Sequence, residues 1–336
     1  MDKFKGTLFG LKRVGKYLTD GELRKAYSEY RESEEMALRL IINTILAEGW
    51  IVTLSMPKTK DEIAQEFGYT NDGLLTGILK LLTEHDVISD NNGVYSIKEL
   101  KAVPIRPEDV GTVLTNFYYD SAQFLPDALR GMTVPLDQVP RIVLEAVFSS
   151  TMTEKGRGVL LRSFSSKKSS EIGVAAFADV GLPYILKQIN EIFDPREILL
   201  FMQNYQWLTP LTSSLLLLSE KDILGKLTTD LLGRRFDVKL DLFYGEEIFA
   251  YSSETFNERV NTINSYLKVG GKLITNDPTY AANETPLSPA YTLMQTIDGY
   301  PQPLDRGLIQ TVFENNGFTI ETIGDNWIIA EKVGEA

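Results

Sequence analysis

The chain has 336 residues, 43% of them hydrophobic and 24% charged, enough for a sizeable core spread over about two domains at roughly 150 residues each. Acidic residues outnumber basic ones 46 to 34, and the net charge of -12 opposes binding to nucleic acid or an anionic membrane. The lack of cysteine excludes disulfides, thiolate catalysis and zinc-thiolate sites. No metal is expected. The start has too short an apolar stretch for a signal peptide, and no segment approaches the roughly 18–20 apolar residues of a bilayer span, so a cytoplasmic location is expected. His85 is the only imidazole.

In chain order, the first pattern is "GELRKAYSEYRESEEMALRLIINTILAEGW". It sets Leu23, Tyr27, Tyr30, Met36, Leu38, Ile41 and Ile45 at mostly helical spacing and predicts an amphipathic helix or helix pair. In "TKDEIAQEFGYTNDGLLTGILKLLTEHDVISDNNGVYSI", Thr59 caps a helix with Glu62 three residues on, Gly68 turns the chain, and a second helix starts near Thr70. Asp90, Asn91, Asn92 and Gly93 then turn a hairpin. Helix, turn, helix and wing predict a winged helix. Its second helix carries Lys80 alone as a base and Asp72 as an acid, so packing and dimerisation fit it better than reading DNA. His85 lies beyond that helix and reads as structural or exposed.

"KAVPIRPEDVG" reads as a linker, so we place the boundary at 1–105 and 106–336. "TVLTNFYYDSAQFLPDALRGM", "VPRIVLEAVFSST" and "GLPYILKQINEIF" read as helices, and "RSFSSKKSS" as a polar loop. From there, strand-like runs alternate with helical ones, the pattern of a parallel sheet with crossover helices. The strands are read at "EILLFMQ", "LLLLSE", "KLDLFY", "EIFAYS", "GKLITND", "FTIETIG" and "NWIIAEK", the last two joined through Gly324, Asp325 and Asn326. Helices are read at "KDILGKLTTDLLGRR", "ETFNERVNTINSYLKVG" and "LDRGLIQTVFENNG".

"NTINSYLKVGGKLITND" resembles the segment of S-adenosylmethionine-dependent methyltransferases in which a helix ends at a Gly-Gly turn, here Gly270 and Gly271, and a buried strand follows. "LDRGLIQTVFENNGFTIETIGDNWIIAEK" is similar to that family's last helix, "GF" turn and closing hairpin. With the winged helix in front, most of the chain resembles small-molecule O-methyltransferases that dimerise through that domain. The fold expected is therefore α/β, a Rossmann-like methyltransferase sheet with a C-terminal antiparallel hairpin, preceded by a mainly α winged-helix domain. Gly270 and Gly271 also have a purely structural reading, closing a helix and freeing a turn.

The resemblance implies site residues. With "EILLFMQ" as first strand, the cofactor loop falls at residues 203–207, making Gln203 and Asn204 cofactor contacts. Tyr205 and Trp207 stand there in place of glycines, so one ring either fills the cofactor's place or stacks on its adenine. Glu220 ends the expected second strand, where the family's acid accepts from the ribose hydroxyls. Gly245 and Glu246 resemble the Gly-Asp pair after the third strand. Charged strand ends are also ordinary on solvated surfaces, and both readings stay open for Glu220 and Glu246. The stretch "YSSETF", matching the family's His base, offers only Glu254, which also suits the first turn of a helix. Tyr118, Tyr119, Phe124, Trp207 and Tyr291 could line an apolar pocket, with Asn276 and Asp277 adding polar contacts, though packing alone accounts for each ring.

The function expected is a small-molecule methyltransferase using S-adenosylmethionine, with an atypical cofactor loop, acting as a homodimer on a small-molecule ligand. Second stands a relative that has lost catalysis and binds a ligand or serves as scaffold. Third stands a winged-helix regulator of transcription, which would need a basic helix face.

Overall fold

The computed structural model of the protein describes residues 21–98, 113–139, 151–164, 171–176, 181–202, 211, 215, 221–231, 239–249, 253–280, 288–300, 303–324 and 326–334. The chain divides into two compact units, one of Tyr27–Ala146 with Asn283–Tyr300, the other of Met1–Ala26, Val147–Ala282 and Pro301–Ala336. The first of these takes in residues on both sides of position 105.

In that unit, helix α1 (Gly21–Ala47) is continuous and buries Met36, Ile41 and Ile45, three of the positions its spacing selects. A short helix α2 (Trp50–Thr53) sets Trp50 against Phe67 at 6.0 Å, its indole N–H donating to the Tyr69 hydroxyl at 3.1 Å. Helix α3 (Lys60–Phe67) starts at a reciprocal cap in which the Thr59 hydroxyl accepts from Glu62 N and the Glu62 carboxylate accepts from Thr59 N. It stops at Gly68, which takes the left-handed conformation (φ 69°). Helix α4 (Asp72–Glu84) is capped by Asn71, and exposed His85 lies just past its end. Strands β1 (Lys58–Thr59), β2 (Ile88–Asp90) and β3 (Val94–Ile97) pair antiparallel in the order β1-β3-β2. Gly93 N donates to Asp90 Oδ1 at 2.7 Å to close the β2–β3 turn. Helix α5 (Val113–Leu129) packs on a later helix, α10 (Pro289–Met294), and strand β4 (Val134–Pro135) pairs with β11 (Ile297–Asp298).

The other unit contains helix α6 (Thr151–Arg162) and a seven-stranded sheet. Its strands are β5 (Glu171–Ala176), β6 (Glu197–Met202), β7 (Leu227–Leu231), β8 (Leu240–Glu246), β9 (Leu267–Asn276), β13 (Phe318–Ile323) and β14 (Ile328–Lys332), ordered β13-β14-β9-β8-β5-β6-β7. Strands β5 to β9 run parallel, while β14 is antiparallel to both β9 and β13. Helix α7 (Leu182–Phe193) links β5 to β6, α8 (Lys221–Leu224) precedes β7, α9 (Ser253–Tyr266) links β8 to β9, and α11 (Arg306–Asn315) precedes β13. A two-stranded pair, β10 (Thr279–Tyr280) with β12 (Leu304–Asp305), lies between β9 and α11 in the chain.

The central strands are apolar along their length because both faces are covered. On one face Ile198 and Leu200 of β6 join Leu182, Ile185 and Leu186 of α7; on the other, Leu199 and Phe201 join Phe243, Phe249, Phe256 and Phe313. Each such side chain contributes about 1.5–3 kcal/mol on burial. Gly173 in β5 is required by this packing, since a Cβ there would lie 2.6 Å from Leu240 Cδ1.

Seven strands are expected and seven are found, but the membership differs. "EIGVAA" is the sheet's first strand, so "EILLFM" is its second. The stretch "KDILGKLTTDLLGRR", expected as a helix, forms four helical residues and then strand β7, because β-branched Thr228 and Thr229 suit a pleated strand better than a helix. In "LLLLSE", expected as a strand, Leu215 is helical and the remainder lies outside the described residues. "EIFAYS" is not a strand among its described residues past Glu246: residues 247–249 turn away from β8. Helix α9 ends at Tyr266, four residues before Gly270, whose φ of 80° bends the start of β9.

Candidate functional site

Strand β5 lies between β6 and β8, and the chain leaves β5 toward β6 but returns from β7 to β8 on the other side. Helices therefore diverge at the carboxyl ends of β5 and β8, and open parallel sheets form their binding crevice at such a point. The residues there are Ala175 and Ala176 of β5, Gly181 at the start of α7, and Gly245 and Glu246 of β8.

Glu246 is fully buried. Its carboxylate accepts from Arg157 Nε, from Arg157 Nη2 at 3.2 Å and from the Tyr244 hydroxyl at 2.8 Å. Arg157, on α6, is itself 3% exposed and donates from Nη1 to Gln188 Oε1 at 3.0 Å; Gln188 Nε2 in turn donates to Glu154 O at 2.8 Å. Burial works against the Arg157 charge, but the Glu246 carboxylate outweighs it and holds the guanidinium firmly protonated. Burial, then the same carboxylate, pushes the Tyr244 phenol well above its usual range. This bidentate pair is satisfied on both sides, and removing either partner would strand a buried charge.

On the opposite face stands Asp277, just past β9 and also fully buried. Its Oδ1 accepts from Phe249 N at 2.9 Å, while its Oδ2 and the Thr275 hydroxyl have no hydrogen-bond partner among the described residues. Burial raises its pKa from 3.8 to about 7; Phe249 N, Thr275 and Arg259 pull it back, and Glu246 adds to the rise. The Thr275 hydroxyl thus lies close enough to act on the charge, although its geometry is not that of a hydrogen bond.

The expected site residues fall in several places. Glu246 and Gly245 meet at the switch point, but on the fourth strand of the sheet rather than after the third. Asn276 is in register with Glu246 on β9. Gln203, Asn204, Tyr205, Trp207 and Glu220 lie outside the described residues. Residues 203–207 follow the second strand of the sheet, not the first, and Glu220 is the residue before α8 in the chain. Glu254 lies in the first turn of α9. Tyr118, Tyr119 and Tyr291 belong to the other unit, on α5 and α10. Tyr118 is buried there, Tyr119 is 45% exposed, and Tyr291 meets Tyr300 edge-on at 5.5 Å.

Sequence reading missed Arg157, Gln188 and Tyr244. One signal was present: Gly156 and Gly158 flank Arg157 in a helix, and a Cβ on Gly158 would sit 3.4 Å from Gln188 Nε2. Gly158 lets α6 approach α7 at Gln188, whereas a Cβ on Gly156 would meet nothing within 4 Å.

No protein-family model matches this chain, and no curated protein matches it. Solved structures do. The O-methyltransferase family 2 protein of Planctomyces limnophilus DSM 3776, in complex with apigenin, is 12% identical, with 92% of this chain and 94% of that chain covered and a TM-score of 0.53. The CMeT domain of the citrinin polyketide synthase is 11% identical, with 100% and 96% covered and a TM-score of 0.60. The likeness is one of fold: the chain is built as these two structures are.

Proposed function

We propose that the protein is a small-molecule methyltransferase that binds S-adenosylmethionine at the carboxyl ends of β5 and β8. The observation carrying this reading is the switch point between those strands, in a sheet matched over its whole length by methyltransferase structures. The residues suit the cofactor: Ala175, Ala176 and Gly181 are small where a ligand must approach backbone, while the space over Gly245 is taken by the Ile248 side chain. With β5 as first strand, the cofactor loop is "FADVG" at 177–181, and Gln203 and Asn204 follow the second strand, where the resemblance places the ribose contacts. Their amides can accept from ribose hydroxyls in place of a carboxylate. On this reading Tyr205 and Trp207 belong to the segment after the second strand and not to the loop after the first. Bound cofactor would supply the methyl group; the protein's part is to hold and orient both reactants.

A second reading, binding without transfer, is favoured by residues 247–249, which follow the fourth strand with buried Phe249 and no histidine. For the other unit we infer a winged-helix dimerisation module. Its support is α3, α4 and the β1-β3-β2 sheet, together with exposed Val52 (77%) and Met56 (67%). Calorimetry with S-adenosylmethionine and S-adenosylhomocysteine tests the proposal. Binding on the order of micromolar is expected for both; no heat from either at tens of micromolar would overturn it. Binding of both without methyl transfer to any small-molecule acceptor would favour the second reading.

A further inference from the structure

Residues 247–249 leave β8 in an unusual way. Glu247 has a φ of 53°, a left-handed conformation that non-glycine residues rarely hold unless neighbours fix them there. Three contacts do so. Glu247 N donates to Asn276 O at 2.9 Å, Phe249 N donates to Asp277 Oδ1 at 2.9 Å, and Arg259 Nη1 donates to Ile248 O at 2.5 Å. The Ile248 side chain lies over Gly245 of β8, Phe249 packs edge-on against Phe256 at 5.3 Å and Phe313 at 5.7 Å, and both are buried. The middle contact depends on a carboxyl group enclosed in an apolar core, with its second oxygen unpartnered.

We propose that residues 247–249 are a pH-gated latch on the edge of the sheet, closed over Asp277 while its carboxyl is neutral and released when it ionises. A neutral carboxyl keeps Oδ1 available to Phe249 N and brings no charge into the core. An ionised one brings a charge with a single N–H donor, and lifting the segment lets water reach Oδ2. Among the described residues, the charged groups acting on it are Arg259 from α9, which favours ionisation, and Glu246 from β8, which opposes it; burial outweighs both. With a closed-state pKa of about 7 and an ordinary carboxyl pKa when open, the open fraction rises as pH rises from 4 to 7 and is constant above. The latch does not depend on whether a cofactor binds.

Hydrogen–deuterium exchange of peptides covering residues 246–250 at pH 5 to 9, with each rate divided by its intrinsic value, tests this on the purified protein. Protection should fall about tenfold per pH unit up to about pH 7, roughly 100-fold from pH 5, and then level off. It should be lower than that of β6 at every pH. Asp277→Asn keeps an acceptor for Phe249 N and should flatten the profile; Thr275→Val should move the break to higher pH. A flat profile in the parent, the same slope in Asp277→Asn, or protection equal to that of β6 throughout would overturn the latch.

Discussion

Glu246 and Asp277 are buried carboxyls at the ends of adjacent parallel strands, on opposite faces of one sheet, yet they have opposite surroundings. Glu246 has a bidentate guanidinium and a phenol, every donor aimed at it. Asp277 has one backbone N–H and an oxygen with no partner. Equal burial therefore goes with a bidentate ion pair in one case and a carboxyl with an open oxygen in the other. What differs is which helix covers each: α6 brings Arg157 into contact with Glu246, whereas Arg259 of α9 donates to Ile248 O and acts on Asp277 through its charge.

The largest effect should come from breaking the satisfied side. Arg157→Leu or Glu246→Ala leaves one buried charge alone and should cost about 3–5 kcal/mol in urea unfolding. Replacing both, as Arg157→Met with Glu246→Leu, should cost less than either single change; additive losses would show that packing rather than charge pairing is at stake.

Next comes the titrating side. The folded pKa of Asp277 lies above its unfolded value, so the stability it contributes is complete below about pH 4 and is lost as pH rises through about 7. The whole loss is at most about 4 kcal/mol. Asp277→Asn should remove that slope between pH 4 and 7, measured by denaturant midpoints in matched buffers. An unchanged slope would assign it to another group.

Smallest is Tyr244→Phe, which removes one hydrogen bond to a carboxylate that keeps its guanidinium. A loss of about 1.5 kcal/mol is expected in the same unfolding experiment. A neutral result would mean that Arg157 alone satisfies Glu246.

Local chemistry in the sequence read well where a signal is complete within a few residues. Thr59 with Glu62, Gly68, and the Asp90 to Gly93 turn each carry their own geometry, and the structure forms all three. Long apolar runs such as "EILLFMQ" and "KLDLFY" also declared themselves as strands. What failed was membership of the sheet. "EIGVAA" is short and rich in small residues because it runs through the crowded centre, where Gly173 leaves room for Leu240 and Phe243. Small residues weaken the β signal where packing most demands them. Missing that strand moved the count of strands by one, so residues 203–207 follow the second strand of the sheet and not the first. Arg157 was hidden for a different reason: an arginine in a polar helix reads as surface until the helix facing it is known.

The switch point is tested most directly by hydrogen–deuterium exchange with and without saturating S-adenosylhomocysteine at one fixed pH. The account predicts slowed exchange in peptides spanning 174–184 and 243–249, the loops after β5 and β8, with α4 unchanged. Protection confined to other segments, or none at ligand concentrations on the order of a millimolar, would contradict it.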